Sequence, residues 1–543
     1  CGRVQTPTLA IVAKREEEIR QFTPRPYYGL LATADGQIQL QWQDLKTKDV
    51  KTFSKEKADR LLDALKREKS AEVVEVAKTQ KKTFAPQLYD LTELQRDANR
   101  KFGYSAKETL SILQGLYEHH KVVTYPRTDS RYLSSDIVET LPERIRAVQM
   151  KPYAPFAAKL LRSPIKANKS FVDDSKVSDH HAIIPTEQSV FLGNLSDRER
   201  KIFDLVVKRF LAVLYPPFAY EQTTIQARVG SELFLARGKT VLAQGWKEVY
   251  DHDVEEEESD VADQTLPQMA KGDRLRIDKV SLTKGETKPP EPFTEASLLS
   301  AMENPAKYMA NESKELIKTI GETGGLGTVA TRADIIEKLF NSFLLEKRGK
   351  HIFITAKGKQ LLELVPDEIK SPTLTAQWEQ KLGAIAKGSL NKTSFLHEIK
   401  TYAKSVVQEI KNSEKTFRHD NLTRSKCPEC GKFLLEVNGK RGKMLVCQDR
   451  ECGYRKNVAR QTNARCPQCH KRLELRGEGE GQTFFCACGY KEKLSAFQER
   501  RNREKGSRIS KKEVARYLKE QEKETKAGIN TALKDALSKF KLE

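Results

Sequence analysis

Eight of the nine cysteines fall between residues 427 and 488 as four close pairs: Cys427-x-x-Cys430, Cys447-x4-Cys452, Cys466-x-x-Cys469 and Cys486-x-Cys488. In each set of four, 16 residues separate the two pairs. A disulfide framework would scatter its cysteines, whereas two thiolate pairs on facing turns close a tetrahedral shell with no open position. This stretch is therefore confined to two small zinc ribbons, residues 426–457 and 465–495, each holding a structural Zn2+, with iron or oxidised pairs as the alternatives. Paired thiols of this kind belong to a reducing compartment, so a cytoplasmic location is expected. Phe484, Phe485 and Tyr490 lie among lysines and arginines, where they could stack on unpaired bases or pack in the ribbon core.

The remainder is long enough for several domains. Lysine and arginine exceed aspartate and glutamate by 21, which favours a polyanionic partner, most simply nucleic acid. No apolar run reaches the roughly 20 residues that span a bilayer, and no cleavable leader pattern opens the chain, so no membrane partner is expected. The acidic run 253–260 would repel a nucleic-acid backbone and reads as a solvated loop. The chain opens at Cys1 and runs straight into "GRVQTPTLAIV", which reads as the middle of something longer.

After Pro7, Leu9, Val12, Ile19 and Phe22 trace a helical stripe that stops before "TPRP". Asp35-Gly36 then joins two alternating segments as an antiparallel hairpin. Helical period returns from about 86, with Gly103 separating two short helices and capping boxes at Ser105/Glu108 and Ser196/Glu199, so helices are expected to fill 86–215. Strand character resumes around a Gly-Ser turn in "QTTIQARVGSELFLARGKTVL", and a β region thus brackets a helical insert. Beyond "KPPEPF", amphipathic helices run to about 412, interrupted by "GETGGLGTVATRADII"; a basic tail occupies 496–543. The Gly-Lys-Thr of "ARGKTV" is not a P-loop, because Leu233 stands where its first glycine belongs.

Three segments carry candidate chemistry. In "TYPRTDS" Pro126 biases Tyr125 toward extended backbone, and Arg127 offers planar donors suited to phosphate oxygens. A phenol with a pKa of about 10 is a poor nucleophile unless a cation stabilises its charge, and a tyrosine in a turn is ordinary. In "DHHAIIPTE", His180 or His181 could donate to a phosphate, or merely pack or cap. In "GGLGTVATRAD", backbone N–H groups, Thr331 and Arg332 could meet a phosphate at a helix start, or form a simple loop cap.

Taken in order, "GRVQTPTLAIV", "LYDLTELQRDANRKFGYSAKETL", "TYPRTDSRYL", "DHHAIIPT", "FTEASLLSAME", "GTVATRADIIEKL", "LTAQWEQKL" and the ribbons resemble the type IA DNA topoisomerases, within them the bacterial topoisomerase III group. The resemblance covers nearly the whole chain. It implies a multidomain α+β fold with a toroidal core: a helical base (1–26 and 291–412), a β arch (27–85 and 216–290) and a helical domain bearing the tyrosine (86–215). It also implies that Tyr125 breaks one strand of single-stranded DNA through a 5′-phosphotyrosine, lets another strand pass, and reseals the break without ATP. Arg127 would orient the scissile phosphate and His180 would hydrogen-bond near it, while Arg3, Gln5, Thr331 and Arg332 would contact the bound strand's backbone. The family's toprim domain, which supplies Mg2+ carboxylates and a lysine, normally precedes "GRVQ" and is expected to be missing. Two readings follow: an enzyme inactive without that domain, or a single-stranded DNA-binding fragment without turnover. A helicase partner is left open. A tyrosine recombinase, which would prefer duplex DNA and carry no ribbons, and a nonenzymatic zinc-ribbon binder are the competing classes.

Overall fold

A computed structural model of the protein describes residues 1–250, 261–309, 312–413, 421–439, 442–449, 451–477, 479–486, 488–504, 516 and 519–520. The acidic run 253–260 and most of the tail expected at 496–543 lie outside these residues. Contacts divide the chain into two units, residues 1–417 and 418–543, each taken by itself below.

The first helix, α1 (Gln5–Gln21), begins before Pro7 rather than after it, since a first-turn proline lacks only an N–H the helix does not use. Thr6 to Leu9, Ile11 and Val12 are buried around its first two turns, while Ile19 and Phe22 are only half-buried. The stripe expected through those two residues is therefore not what fixes the helix; its N-terminal end is enclosed. Next come β1 (Pro26–Ala34), β2 (Ile38–Gln43), α2 (Lys55–Leu65) and β3 (Ser70–Thr83). Asp35 and Gly36, both at positive φ, make the tight turn between β1 and β2, where Gln37 N–H donates to Ala34 O.

The helical insert contains α3 (Leu91–Phe102), α4 (Ala106–Glu118), α5 (Leu141–Ala147), α6 (Ala154–Leu160) and α7 (Asp197–Leu214). Gly103, at φ 70°, ends α3 in the left-handed region, and Ser105 caps α4 through Glu108 N–H. The box at Ser196/Glu199 is reciprocal, whereas the Glu108 carboxylate pairs instead with Arg198. Helices do not fill 86–215: between α4 and α7 only α5, α6 and 3-10 turns interrupt extended or irregular chain. Pro126, Pro164 and Pro185 deny that stretch continuous helix. Its core includes Leu94, Leu113, Ile183, Phe203 and Phe210. Arg209 is buried there and satisfied by Asp97 Oδ2 (2.7 Å), Tyr89 OH (3.1 Å) and Gln87 O (2.8 Å).

After the insert, β4 (Phe218–Val229), β5 (Glu232–Ala243), β6 (Asp263–Gln264) and β7 (Arg274–Glu286) complete a sheet of order β2-β1-β7-β3-β4-β5-β6. Strand β2 also pairs with β5 through Gln41↔Leu235 and Trp42↔Phe234, so the first six strands in that order close into a ring and shed their free edges. Leu30, Leu40, Trp42, Ile225 and Phe234 fill it, and Trp42 Nε1 donates to Glu232 Oε2. The Gly-Lys-Thr triplet lies inside β5.

The chain then returns to α1 with α8 (Glu295–Glu303), α9 (Lys314–Glu322), α10 (Arg332–Asn341), a hairpin of β8 (Leu345–Arg348) and β9 (His351–Ile354), and α11 (Ala356–Leu364), α12 (Asp367–Lys370), α13 (Pro372–Ala386) and α14 (Lys392–Asn412). Leu9 and Val12 share a core with Leu298, Met302, Ile320, Ile336 and Ile352. No helix among the described residues is long and apolar enough to cross a membrane.

The second unit holds two four-stranded antiparallel sheets. One is β10 (Leu422–Lys426), β11 (Phe433–Gly439), β12 (Gly442–Cys447) and β13 (Arg455–Asn457); the other is β14 (Ala459–Arg465), β15 (Arg472–Arg476), β16 (Thr483–Phe485) and β17 (Lys491–Lys493), followed by α15 (Leu494–Glu504). Phe484 packs on Phe497 of α15 with ring centroids 4.5 Å apart.

Gly325, at φ 84°, shows where the base tolerates no side chain: a Cβ there would lie 2.2 Å from Met302 O and 2.3 Å from Glu303 O. Gly325→Ala is expected to cost about 2 kcal/mol or more in urea unfolding, through left-handed strain and the clash with α8.

Candidate active site

Residues 122–133 and 180–186 run side by side as two short extended segments. Val123 bridges Pro185, Thr124 N–H donates to Ile184 O (2.9 Å), and Ala182 N–H donates to Tyr132 O (2.9 Å). Side chains lock the register: Thr124 Oγ1 donates to Ala182 O (3.1 Å) and accepts from Ile184 N–H (3.0 Å), and Thr128 Oγ1 donates to His180 O (3.0 Å). Val122, Val123, Ile183 and Ile184 are buried, and beyond them burial alternates: Pro126, Thr128 and Ser130 are buried, which leaves Tyr125, Arg127 and Asp129 turned outward.

Tyr125 is one of those, and its ring is half-buried. His180 lies over its face with centroids 4.0 Å apart and planes 30° from parallel, and Tyr117 of α4 meets its edge at 5.8 Å and 87°. Tyr125 and His180 open on a cleft of about 400 Å³ also lined by Asp136, Asp174, Asp179 and His181. Arg127 is exposed and has no hydrogen-bond or ion-pair partner among the described residues.

The paired histidines are thus in different surroundings. His180 is exposed and stacked on the phenol, whereas His181 is half-buried with Nδ1 2.8 Å from Ala182 O. Burial holds the His181 imidazole below its ordinary range.

The second set of expected residues gathers in the base. Arg3 pairs with Glu379 (2.7 Å), and its guanidinium lies 5.7 Å from the centroid of Trp378. Gln5 opens α1, half-buried. Thr331 precedes α10 and accepts from Thr328 N–H (3.0 Å). A Cβ at Gly327 would lie 3.2 Å from Thr331 Oγ1 and 3.5 Å from Val4 Cγ1, so the "GRVQ" and "GTVATR" segments touch. Arg332 is found elsewhere than on a surface open to a strand: it is 1% exposed, donating to Thr92 Oγ1 (2.9 Å), Leu326 O (3.4 Å) and Gly324 O. Burial pushes its guanidinium down to about 10.

Sequence reasoning missed a charged cluster where the helical insert meets the base. Arg131 Nε donates to Asp90 Oδ2 (2.6 Å), Arg131 Nη2 lies 3.3 Å from Glu303 Oε1, and Arg96 contacts Glu303 and Glu93 (2.6 Å). Its one sequence signal was the Arg131 that follows "TYPRTDS".

Each cysteine set draws together, with every Sγ of a set within 4.8 Å of the others. Cys427–Cys452 and Cys466–Cys488 are 3.6 Å apart, Cys430–Cys447 and Cys469–Cys486 3.3 Å. All eight are free thiols, and these spacings suit ligands on a tetrahedral zinc, whose sulfurs sit about 2.3 Å from the ion. The turns match: Gly431 N–H donates to Cys427 O and His470 N–H to Cys466 O, both residues at positive φ. Asp449 and Gln468 N–H groups point at Cys447 and Cys466 sulfurs. The two sites could thus hold zinc. Of the aromatics, Phe484 is core, Tyr490 OH donates to Glu492 (2.5 Å), and Phe485 lies under the Arg476 guanidinium at 4.8 Å.

A closed β ring interrupted by a tyrosine-bearing helical insert, set on a helical base, defines a mixed α/β multidomain class. The family described as DNA topoisomerase matches residues 1–397. DNA topoisomerase 3 of Bacillus licheniformis is 62% identical over 543 residues, covering 100% of this chain and 74% of that protein; the Bacillus subtilis DNA topoisomerase 3 is 60% identical over 544 residues with the same coverage. The structure of full-length topoisomerase I from Thermotoga maritima is similar at 26% identity and a TM-score of 0.56, over 84% of this chain and 70% of that one. The chain belongs to the type IA DNA topoisomerase family.

Metal release by a thiol-blocking reagent should yield two zinc ions per chain, and Cys447→Ser should lower the count to one. Because the unfolded chain protonates its histidine first, the stability that neutral His181 contributes is complete above pH about 6.5 and falls as pH drops below it. His181→Asn should flatten the urea-unfolding profile as pH falls below about 6.5.

Proposed function

We propose that Tyr125 Oη attacks one phosphodiester of single-stranded DNA. The Oη–phosphorus bond forms as the bond from phosphorus to the 3′ oxygen breaks, and the phenolic proton ends on that oxygen. A 5′-phosphotyrosine and a free 3′-hydroxyl result, so the bond energy is kept and the reverse attack reseals the strand after another has passed. Negative supercoil relaxation and decatenation are the expected outcomes, in the cytoplasm at the nucleoid. The observation that carries this reading is the Tyr125 ring stacked on His180 in an open cleft, with Arg127 two residues along the chain, exposed and without a hydrogen-bond or ion-pair partner among the described residues.

A phenol ionises only near pH 10, so a nearby cation is what makes it a competent nucleophile at neutral pH. Arg127 fits that role, since a guanidinium without a carboxylate partner can take two phosphate oxygens at once. His180, stacked on the phenol, is assigned a hydrogen bond to the same phosphate. Arg3, Gln5 and Thr331 are assigned to the strand's backbone beyond the break, and Arg332 to holding the loop that presents Thr331.

Among the described residues, the groups of three or more close metal-ligating side chains are the two cysteine sets. We propose that turnover requires Mg2+ held by toprim carboxylates outside them. A helicase that supplies single strands would be a compatible partner.

Incubated with a labelled single-stranded oligonucleotide, Mg2+ and the toprim segment of a DNA topoisomerase 3 relative, the protein should give a covalent adduct on a denaturing gel. Tyr125→Phe should give none while binding the oligonucleotide within about 3-fold of the parent. Omitting the toprim segment should reduce the parent's adduct by about 100-fold or more. Binding by the parent without an adduct under the full conditions would leave only a DNA-binding role.

A further inference from the structure

Glu303 ends α8, where a carboxylate faces the negative end of the helix dipole and is unfavourable unless cations answer it. Two do, and both come from the helical insert. Arg96, 8% exposed, contacts one carboxylate oxygen, and Arg131 lies 3.3 Å from the other. Arg131 is also fixed from behind by Asp90, itself buried and spent on capping α3 through Glu93 N–H (2.6 Å).

This contact sits between the two sets of functional residues. On one side, Arg131 terminates the segment that carries Tyr125, and Thr128 O of that segment accepts from Leu91 N–H at the start of α3 (3.1 Å). Among the described residues, Arg131 is the only side chain of 121–133 that pairs with a charge in the base. On the other side, Glu303 O is one of the two backbone oxygens that a Cβ on Gly325 would strike, and Leu326 N–H donates to Met302 O (2.6 Å). The loop leading to Thr331 and Arg332 is therefore laid directly on the turn that bears Glu303. Arg332 closes the circuit by donating to Thr92, two residues beyond Asp90.

We propose that Arg131 is a positioning residue for the transesterification, holding the Tyr125 segment in register with the base loop of Thr331 through Glu303. It touches no reacting atom. Its effect is on geometry: a strand gripped by the base meets the phenol at attack distance only while this link holds, and a displacement of about 1 Å can cost up to 100-fold in rate. The inference rests on the reading of Tyr125 as the nucleophile.

Single-turnover adduct formation, with the toprim segment and Mg2+ supplied, separates the two. For Arg131→Gln the rate at saturating oligonucleotide should fall about 10-fold or more while the apparent oligonucleotide Kd stays within about 2-fold, and Arg131→Lys should recover part of the rate. Glu303→Gln cuts the same link together with the Arg96 contact while leaving Asp90 paired, and should be at least as slow as Arg131→Gln; the double variant should be no slower than Glu303→Gln alone. An adduct rate equal to the parent's in Glu303→Gln, or additive losses in the double variant, would overturn the proposal. So would a fall in affinity that parallels the fall in rate, since that marks general disruption. A parent that forms no adduct overturns the nucleophile assignment instead.

Discussion

Two threonine hydroxyls determine where the phenol goes. Thr124 and Thr128 are within a few residues of Tyr125 on either side, and each spends its hydroxyl on a carbonyl of the 180–184 segment. Because side chains alternate along an extended chain, a one-residue slip between these segments would turn Tyr125 into the core and Pro126 out. The buried valines and isoleucines supply the free energy for pairing, and the hydroxyls supply its register. The stacked His180, the cleft and the exposed Arg127 all follow from that register. His180 on the face of the Tyr125 ring and Tyr117 at its edge restrict its rotamers, which is what the proposed nucleophile would need.

Charge is used differently in different parts of the chain. The excess of 21 positive charges is the long-range feature that draws a polyanion. Several arginines do not contribute to an open surface. Arg209, Arg332 and Arg96 are buried against carboxylates, hydroxyls and carbonyls, with only Arg96 Nε of the three guanidinium groups lacking a partner among the described residues, and they fix loops and helix ends in place. Removing one partner of such a group leaves a desolvated charge, so these sites are sensitive to substitution although they touch no substrate. Arg127 stands apart, since no partner among the described residues consumes its capacity for phosphate.

The second unit relies on another source of stability. Its sheets are short and, among the described residues, their buried clusters are small and include the cysteines themselves, so zinc held at the two cysteine sets would supply much of the folding free energy. The four-thiol spacing is what such a module requires.

The sequence by itself determined whatever rests on contacts close along the chain. The cysteine sets, the Asp35-Gly36 turn, the glycine end of α3 and the Ser196 cap were legible because their partners lie a few residues away. Motif resemblance carried the family, and it pointed to Tyr125, Arg127 and His180 before any distance was known. The tertiary structure gave the paired histidines their different surroundings, His180 stacked on the phenol and His181 half-buried. It closed the ring through β2 and β5, drew Glu303 onto Arg131 across 172 positions, and turned Arg332 inward. Such outcomes depend on which distant surfaces bury each other, and no local pattern of residue types records that choice.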